Sequence, residues 1–523
     1  MSGSAPGIEG DDVTKGAAEF LMAAFGAVPP GLARRYGIVP LEQLGAGWIL
    51  GVMEPDDPEL LDVLQRLGLE EAELRVQSRE VFERQFASLY AIWSELYEFV
   101  MGLKANPIDP DVPSIGPGDQ LETAPAVRYV KTLLESCFAE GATDIHLDPN
   151  ASDPILRLRV DGILVARPAP PAWLYPRAIG RIKALAGMSL GEALQAQDGT
   201  IAYGADDGAR DLRVSIVRTE RGESLVLRVL SKEGVVPELS TLGLGVRGTD
   251  LACQAARETT GLIVIAGPTG AGKTTTLHAL VSTMDAARIN IVSIEDPIEI
   301  RRREVRQIPI RTEAGVTFAT VLRAVLRQDP DVIVVGEARD PETASLVLQA
   351  AQAGHLVLTT VHASTTLGAF DRMLQLGCHK ERLAESMRLI VAQRLVRRRC
   401  ECTSGCVECE GRGLKGRVGV YEILPVDSAV ARSLATSTDP SKRLAAALNA
   451  GMQSFAQAAF DLLDREVTTK AELHRVLGSD MAAPKIFVDQ TEVSYVRVLG
   501  GASAPALAPP PVAPPPVAPP PVA

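Results

Sequence analysis

"GPTGAGKTTT" spans residues 267–276 and decides how the chain around it folds. It follows the apolar run "GLIVI" (261–265) and opens into "TLHALVSTM" (276–284). Gly267 and Gly272, then Lys273 and Thr274, satisfy the pattern G-x-x-x-x-G-K-[ST]. Glycines let the backbone curl until several N–H groups face one point, and the N-terminus of the next helix adds positive partial charge there. In such a loop the lysine neutralises the β and γ phosphates and the hydroxyl residue ligates Mg²⁺. Gly267, Pro268, Thr269, Gly270, Ala271, Gly272, Lys273, Thr274 and Thr275 are therefore the expected ATP-binding segment, with Thr274 on the metal. Downstream, "NIVSIED" (290–296), "DVIVVGE" (331–337) and "HLVLTTVHA" (355–363) repeat the pattern of an apolar run followed by a helical or turn segment. Four such runs predict an α/β fold around a buried parallel sheet.

A phosphate cradle alone hydrolyses slowly; it needs carboxylates for metal and water, and cations for developing charge. Strand ends of a parallel sheet collect at one edge, where the ligand sits. Glu295, Asp296 and Glu299 end one run, and Glu337 and Asp340 end another. Glu337 stands where a Walker B carboxylate is expected, with Gly336 before it rather than an acid. His355 and His362 bracket the last run. Singly, each of these residues is as readily a helix cap or a structural histidine.

The 523 residues divide by pattern into an N-terminal unit (1–104), a linker (105–124), an α+β unit (125–235), the unit carrying the phosphate loop (236–480) and a Pro/Ala-rich tail (481–523) expected to be disordered. In the first unit Phe82, Phe86, Tyr90, Trp93 and Tyr97 repeat at helical spacing, which predicts a packed helix face. The tail closes on "APPPVAPPPVAPPPVA" (508–523), extended and unable to build a core. A net charge of −12 and no interleaved basic and aromatic groove argue against a nucleic-acid partner. No apolar run reaches the ~18–20 residues of a membrane span. The polar, acidic start is unlike a secretory signal, so the expected location is cytoplasmic. Of seven cysteines, Cys400, Cys402, Cys406 and Cys409 are clustered, which in a reducing compartment suggests metal before disulfides.

Together these pieces resemble the secretion ATPases of type II secretion and type IV pilus assembly. "SIEDPIE" (293–299) looks like that family's Asp box, "LRAVLRQDPDVIVVGEARDPETA" (322–344) like its Walker B region and "AGHLVLTTVHA" (353–363) like its His box. "ATDIHLDP" (142–149) and "RLRVDGIL" (157–164) are similar to signatures of its second N-terminal domain, and residues 34–90 resemble its first more loosely. The resemblance implies a RecA-like ATPase domain preceded by a PAS-like α+β domain and a small N-terminal domain. It also implies a homo-hexamer at the inner membrane, held through residues 1–104 to a platform protein. Residue by residue, Glu295 falls on the Asp-box glutamate that positions the attacking water, and Glu337 on the Walker B glutamate that acts through Mg²⁺. His355 and His362 fall on the His-box histidines. Arg213 and Arg228 fall on arginines that reach the phosphates from the domain above, and Arg323 and Arg327 on a second pair in the motor domain. "LQAQDGT" (194–200) departs from the family's Pro-Gln-Asp-Gly-Arg: Ala196 and Thr200 replace the proline and arginine.

"RRRCECTSGCVECEGRGLKGR" (397–417) resembles the tetracysteine zinc module of the family's assembly-type members, with a tighter first pair and almost no loop. The expectation is a structural Zn²⁺ on Cys400, Cys402, Cys406 and Cys409, with thiols as the alternative. The expected function is a motor ATPase for secretion or pilus assembly. A RecA-type nucleic-acid translocase and a pilus-retraction ATPase are the alternatives.

Overall fold

The computed structural model describes residues 24, 27–28, 30–44, 47–90, 96, 99–100, 103, 124–204, 210–230, 236–402, 409, 413–481, 485–488 and 491–494. Three sheets organise the chain up to residue 482. The first is small: β1 (Ile38–Leu44) and β2 (Gly47–Val52) pair antiparallel, and β3 (Glu73–Val76) adds parallel to β2. The helix Arg79–Tyr90 packs beside it. The expected aromatic face is present as Phe82, Phe86 and Tyr90, all buried, with ring centroids 5.7 and 5.0 Å apart in sequence order. Trp93 and Tyr97 lie outside the described residues, as does nearly all of the expected linker.

The second sheet has six antiparallel strands in the order β6-β5-β4-β9-β8-β7. These are β4 (Asp144–Asp148), β5 (Ile155–Val160), β6 (Ile163–Arg167), β7 (Gln197–Tyr203), β8 (Arg210–Thr219) and β9 (Gly222–Val229). Alternation in the sequence sorts its faces: Leu212, Val214 and Ile216 turn inward while Arg213, Ser215 and Val217 turn out. The inward face packs on the helices Pro125–Glu140 and Tyr175–Leu185. Inside this α+β unit Arg167 and Glu140 form a fully buried ion pair. Direct cross-strand partners line up Thr200, Arg213, Arg228, Asp144 and Arg159 in one row across β7, β8, β9, β4 and β5.

The third sheet has seven strands in the order β12-β11-β13-β14-β10-β15-β16. β10 (Gly261–Ala266), β11 (Ile291–Glu295), β12 (Arg306–Pro309), β13 (Val332–Val335), β14 (Leu356–Val361) and β15 (Met387–Arg399) run parallel, and β16 (Leu414–Pro425) closes one side antiparallel to β15. β10, β11, β13 and β14 are buried at every position, the signature of a sheet covered by helices on both faces. This is the α/β unit with a buried parallel sheet that the apolar runs predict, in the place where the family resemblance implies a RecA-like domain.

Residues 483–523 form a separate unit. In the segment expected to be without structure, β17 (Lys485–Val488) and β18 (Thr491–Ser494) make an antiparallel hairpin.

Candidate nucleotide site

The loop 267–272 leaves the carboxyl end of β10 and enters the helix Lys273–Val281. Gly270 and Gly272 sit at φ 75° and 83°, a region that side chains disfavour. At Gly267 a Cβ would come within 2.8 Å of the Gln393 carbonyl oxygen and 2.9 Å of Ala271 Cβ, so only glycine fits. Gln393, buried on β15, braces the loop by donating from Nε2 to the Ala271 carbonyl. Lys273 Nζ folds back over the loop and donates to the carbonyls of Gly267 (2.9 Å) and Pro268 (3.0 Å). Burial holds its ammonium below the ordinary lysine value; Glu337 and Glu299 pull it back up, and Arg339 and Arg394 press it down. The sequence-based reading missed Gln393, Arg339 and Arg394. A lone glutamine inside the apolar run "LIVAQRLV" (389–396) is the signal that marks Gln393.

Glu337 follows β13. Its carboxylate meets Arg339 Nε at 2.8 Å and His362 Nε2 at 3.1 Å and is 15% exposed. Parallel register explains the second contact: Gly261 pairs with Leu356 and Ala266 with Val361, so His362 comes level with the start of the phosphate loop. The same register puts His355 at the other end of β14, about 20 Å away along the strand. There its carbonyl accepts the Gly261 N–H at 3.1 Å. The structure thus brings His362 to the site and leaves His355 at the opposite edge.

Glu295 is placed differently from the expectation for a group that activates water. It is 4% exposed. Ser293 Oγ (2.7 Å) and Gln307 Nε2 (2.9 Å) donate to its Oε1, and His278 Nε2 lies 3.3 Å from Oε2. Burial pushes its pKa up, but these partners outweigh burial and leave it below the ordinary carboxylate value. The physical reason is strand alternation: Ser293 and Glu295 share a face of β11, and that face meets the buried side of the phosphate-loop helix at His278. Within "SIEDPIE", the Glu299 charge helps pull the Lys273 ammonium back up.

The four arginines separate. Arg213 Nη2 lies 3.8 Å from Asp296, beside the end of β11. Arg228 is held within its own sheet, Nε donating to Asp144 Oδ1 at 2.9 Å. Arg323 pairs with Glu342, and Arg327 donates to the Arg323 carbonyl at 2.8 Å. Among the described contacts neither of these two meets Lys273, Glu337 or Glu299.

The cysteine cluster lies at the far end of β15 and β16. Cys400, Cys402 and Cys409 have sulfurs within 4.8 Å of one another. Cys402 Sγ is 3.5 Å from Cys409 Sγ, and the Gly413 N–H donates to Cys409 Sγ at 3.2 Å. Cys406 lies outside the described residues.

A glycine cradle at the carboxyl edge of a parallel sheet, with a half-buried lysine folded over it and a braced glutamate at a neighbouring strand end, defines a P-loop ATPase of the RecA-like class. The type II/IV secretion system protein family matches residues 119–475, and the MshEN domain matches residues 17–92. The chain therefore belongs to the type II/IV secretion system protein family. It is 37% identical over 379 residues to the type II secretion system protein HxcR of Pseudomonas aeruginosa, covering 70% of this chain and 80% of the relative. It is 29% identical to the type IV pilus assembly ATPase PilB of Myxococcus xanthus, covering 85% of each. The X-ray structure of the Legionella pneumophila ATPase DotB shares the fold, with a TM-score of 0.53 at 22% identity over 69% of this chain and 99% of that one.

If Glu295 braces the phosphate-loop helix from behind, Glu295→Gln should lower stability by about 1–3 kcal/mol through weakened charge-assisted hydrogen bonds. Binding of a fluorescent ATP analogue should stay near wild type. Denaturant unfolding and equilibrium titration on one preparation check both halves.

Proposed function

We propose that this chain is a motor ATPase that hydrolyses ATP to drive type II protein secretion or type IV pilus assembly. It acts as a homo-hexamer at the cytoplasmic face of the inner membrane, docked to a platform protein through residues 1–104. Residues 125–235 and 236–480 are its two working parts, with 105–124 as the connection between the first two units. The observation that carries the reading is the glycine loop with Lys273 folded over it at the sheet edge where Glu337, braced by Arg339 and His362, also ends a strand, and where Arg213 arrives from another sheet. Relatives named for type II secretion (37% identical) and for pilus assembly (29% identical) support both outlets. No helix among the described residues is long and apolar enough to cross a membrane; in this reading membrane attachment falls to a partner.

The residues present suit ATP and Mg²⁺. The glycine loop and Lys273 take the phosphates, and Thr274, at the start of the helix, and Glu337 serve the metal, Glu337 indirectly. Bound Mg²⁺ supplies charge neutralisation on the phosphates. We assign orientation of the attacking water to Glu299 rather than Glu295, because Glu295 is buried with both oxygens engaged. His362 holds Glu337 in place. Arg213 supplies a cation from outside the motor sheet, so hydrolysis depends on how the two sheets close. Arg228, Arg323 and Arg327 reach a nucleotide only after rearrangement or from a neighbouring subunit.

The sulfur cluster suits a structural Zn²⁺: its ligand type is right, and the Gly413 N–H stabilises thiolate charge at Cys409. Cys406 is the proposed fourth ligand.

Glu337→Gln and Glu299→Gln should each keep ATP binding and lower steady-state turnover by about 10²–10⁴. Turnover at the wild-type rate in either variant would remove that residue from the reaction. Metal analysis of reduced protein should find about one zinc per chain; Cys409→Ser should lose it, and a metal-free wild type would leave the cluster as thiols.

A further inference from the structure

Asp161 belongs to the segment "RLRVDGIL" (157–164), which the nucleotide site does not use. β5 and β6 are joined by Asp161 and Gly162 alone, and Val160 pairs with Ile163 across the turn. A two-residue turn of type I′, one of the two that follow strand twist, needs positive φ at both positions. They stand at 50° and 83°. Aspartate tolerates the left-handed region better than most side chains, though glycine enters it without strain. Here the carboxylate leaves its own sheet. Its Oδ2 accepts the Gly416 N–H at 2.8 Å, and Oδ1 lies 3.8 Å from Arg417 Nε.

A bulge makes that N–H available. Arg397 pairs with Arg417 and Arg399 with Leu414, so Lys415 and Gly416 face Arg398 alone. Two residues against one leaves a backbone group outside the ladder. Gly416 takes φ 71° there. Beyond the bulge, β16 serves two further contacts. The Gly419 N–H donates to the Leu242 carbonyl at 3.0 Å, on the stretch that leads into the motor sheet. The Tyr421 hydroxyl lies 3.3 Å from Thr276 Oγ1 on the phosphate-loop helix.

The sheet that carries Asp161 also carries Arg213. The Arg213–Asp296 contact is half-exposed and 3.8 Å long, a pair too weak to fix the placement of a sheet by itself. The Asp161 contact is more sheltered and joins a backbone donor to an ion pair. We propose that Asp161 is a positioning residue for ATP turnover: it latches the six-stranded sheet to the β16 bulge and so holds Arg213 at the nucleotide edge. This rests on the reading of the site as an ATPase.

The test uses the full chain and Asp161→Gly, which keeps the turn because glycine suits both positive φ values. Hydrogen exchange reads the latch without reference to activity: segment 414–418 should exchange faster in Asp161→Gly than in wild type. Equal exchange overturns the latch, whether or not the chain hydrolyses ATP. Turnover reads the positioning role. Asp161→Gly should lower kcat about tenfold, the scale of one lost hydrogen bond to a charged group, and leave KM for ATP near its wild-type value. In an Arg213→Ala background the same substitution should cost nothing more, because its effect passes through Arg213. Arg417→Ala, which leaves the turn untouched, should lower kcat in the same direction. A wild-type kcat in Asp161→Gly, or a full second loss in the Arg213→Ala background, would overturn the proposal.

Discussion

Parallel pairing of β10 with β14, and of β14 with β13, is the constraint on which the site depends. Parallel strands bring all their carboxyl ends to one edge, so groups far apart in sequence arrive together without any loop having to reach. Lys273 begins the helix after β10, Glu337 follows β13, His362 follows β14 and Asp296 follows β11. One register carries the whole set. It also excludes His355, which the same strand holds at the other edge.

At that edge the electrostatics are balanced rather than simply positive. Burial makes the Lys273 charge costly, and Glu337 and Glu299 offset the cost. A half-buried cation influenced by acids and arginines is suited to a ligand that brings its own negative charge and a metal. Glu337 is itself held by Arg339 and His362, which ties the ends of two neighbouring strands together.

The phosphate loop, the parallel sheet and the acidic strand ends were legible because each has a local pattern: glycine spacing, continuous apolar runs, acids where runs stop. What stayed hidden depends on contacts across sheets. "SIEDPIE" puts Glu295 forward through its resemblance to the Asp box, and only the helix packed on β11 shows that Glu295 turns toward His278. Arg213 and Arg228 are direct cross-strand partners with matching local sequence. Their fates differ because Asp144 is beside one and Asp296 is near the other. The departure at Thr200 falls in this same row, next to Arg213. A threonine there takes one cation from the row facing the motor sheet, which leaves Arg213 as the member of the row that meets the Asp-box segment.

The central claim is that one nucleotide site is built from two sheets whose separation responds to the nucleotide. The most direct measurement is the distance between spin labels placed at Ala202 on β7 and at Arg301 after β11, in the full chain, with and without a non-hydrolysable ATP analogue. The account predicts a shorter and narrower distance distribution when the analogue is bound. An unchanged distribution under saturating analogue would contradict it.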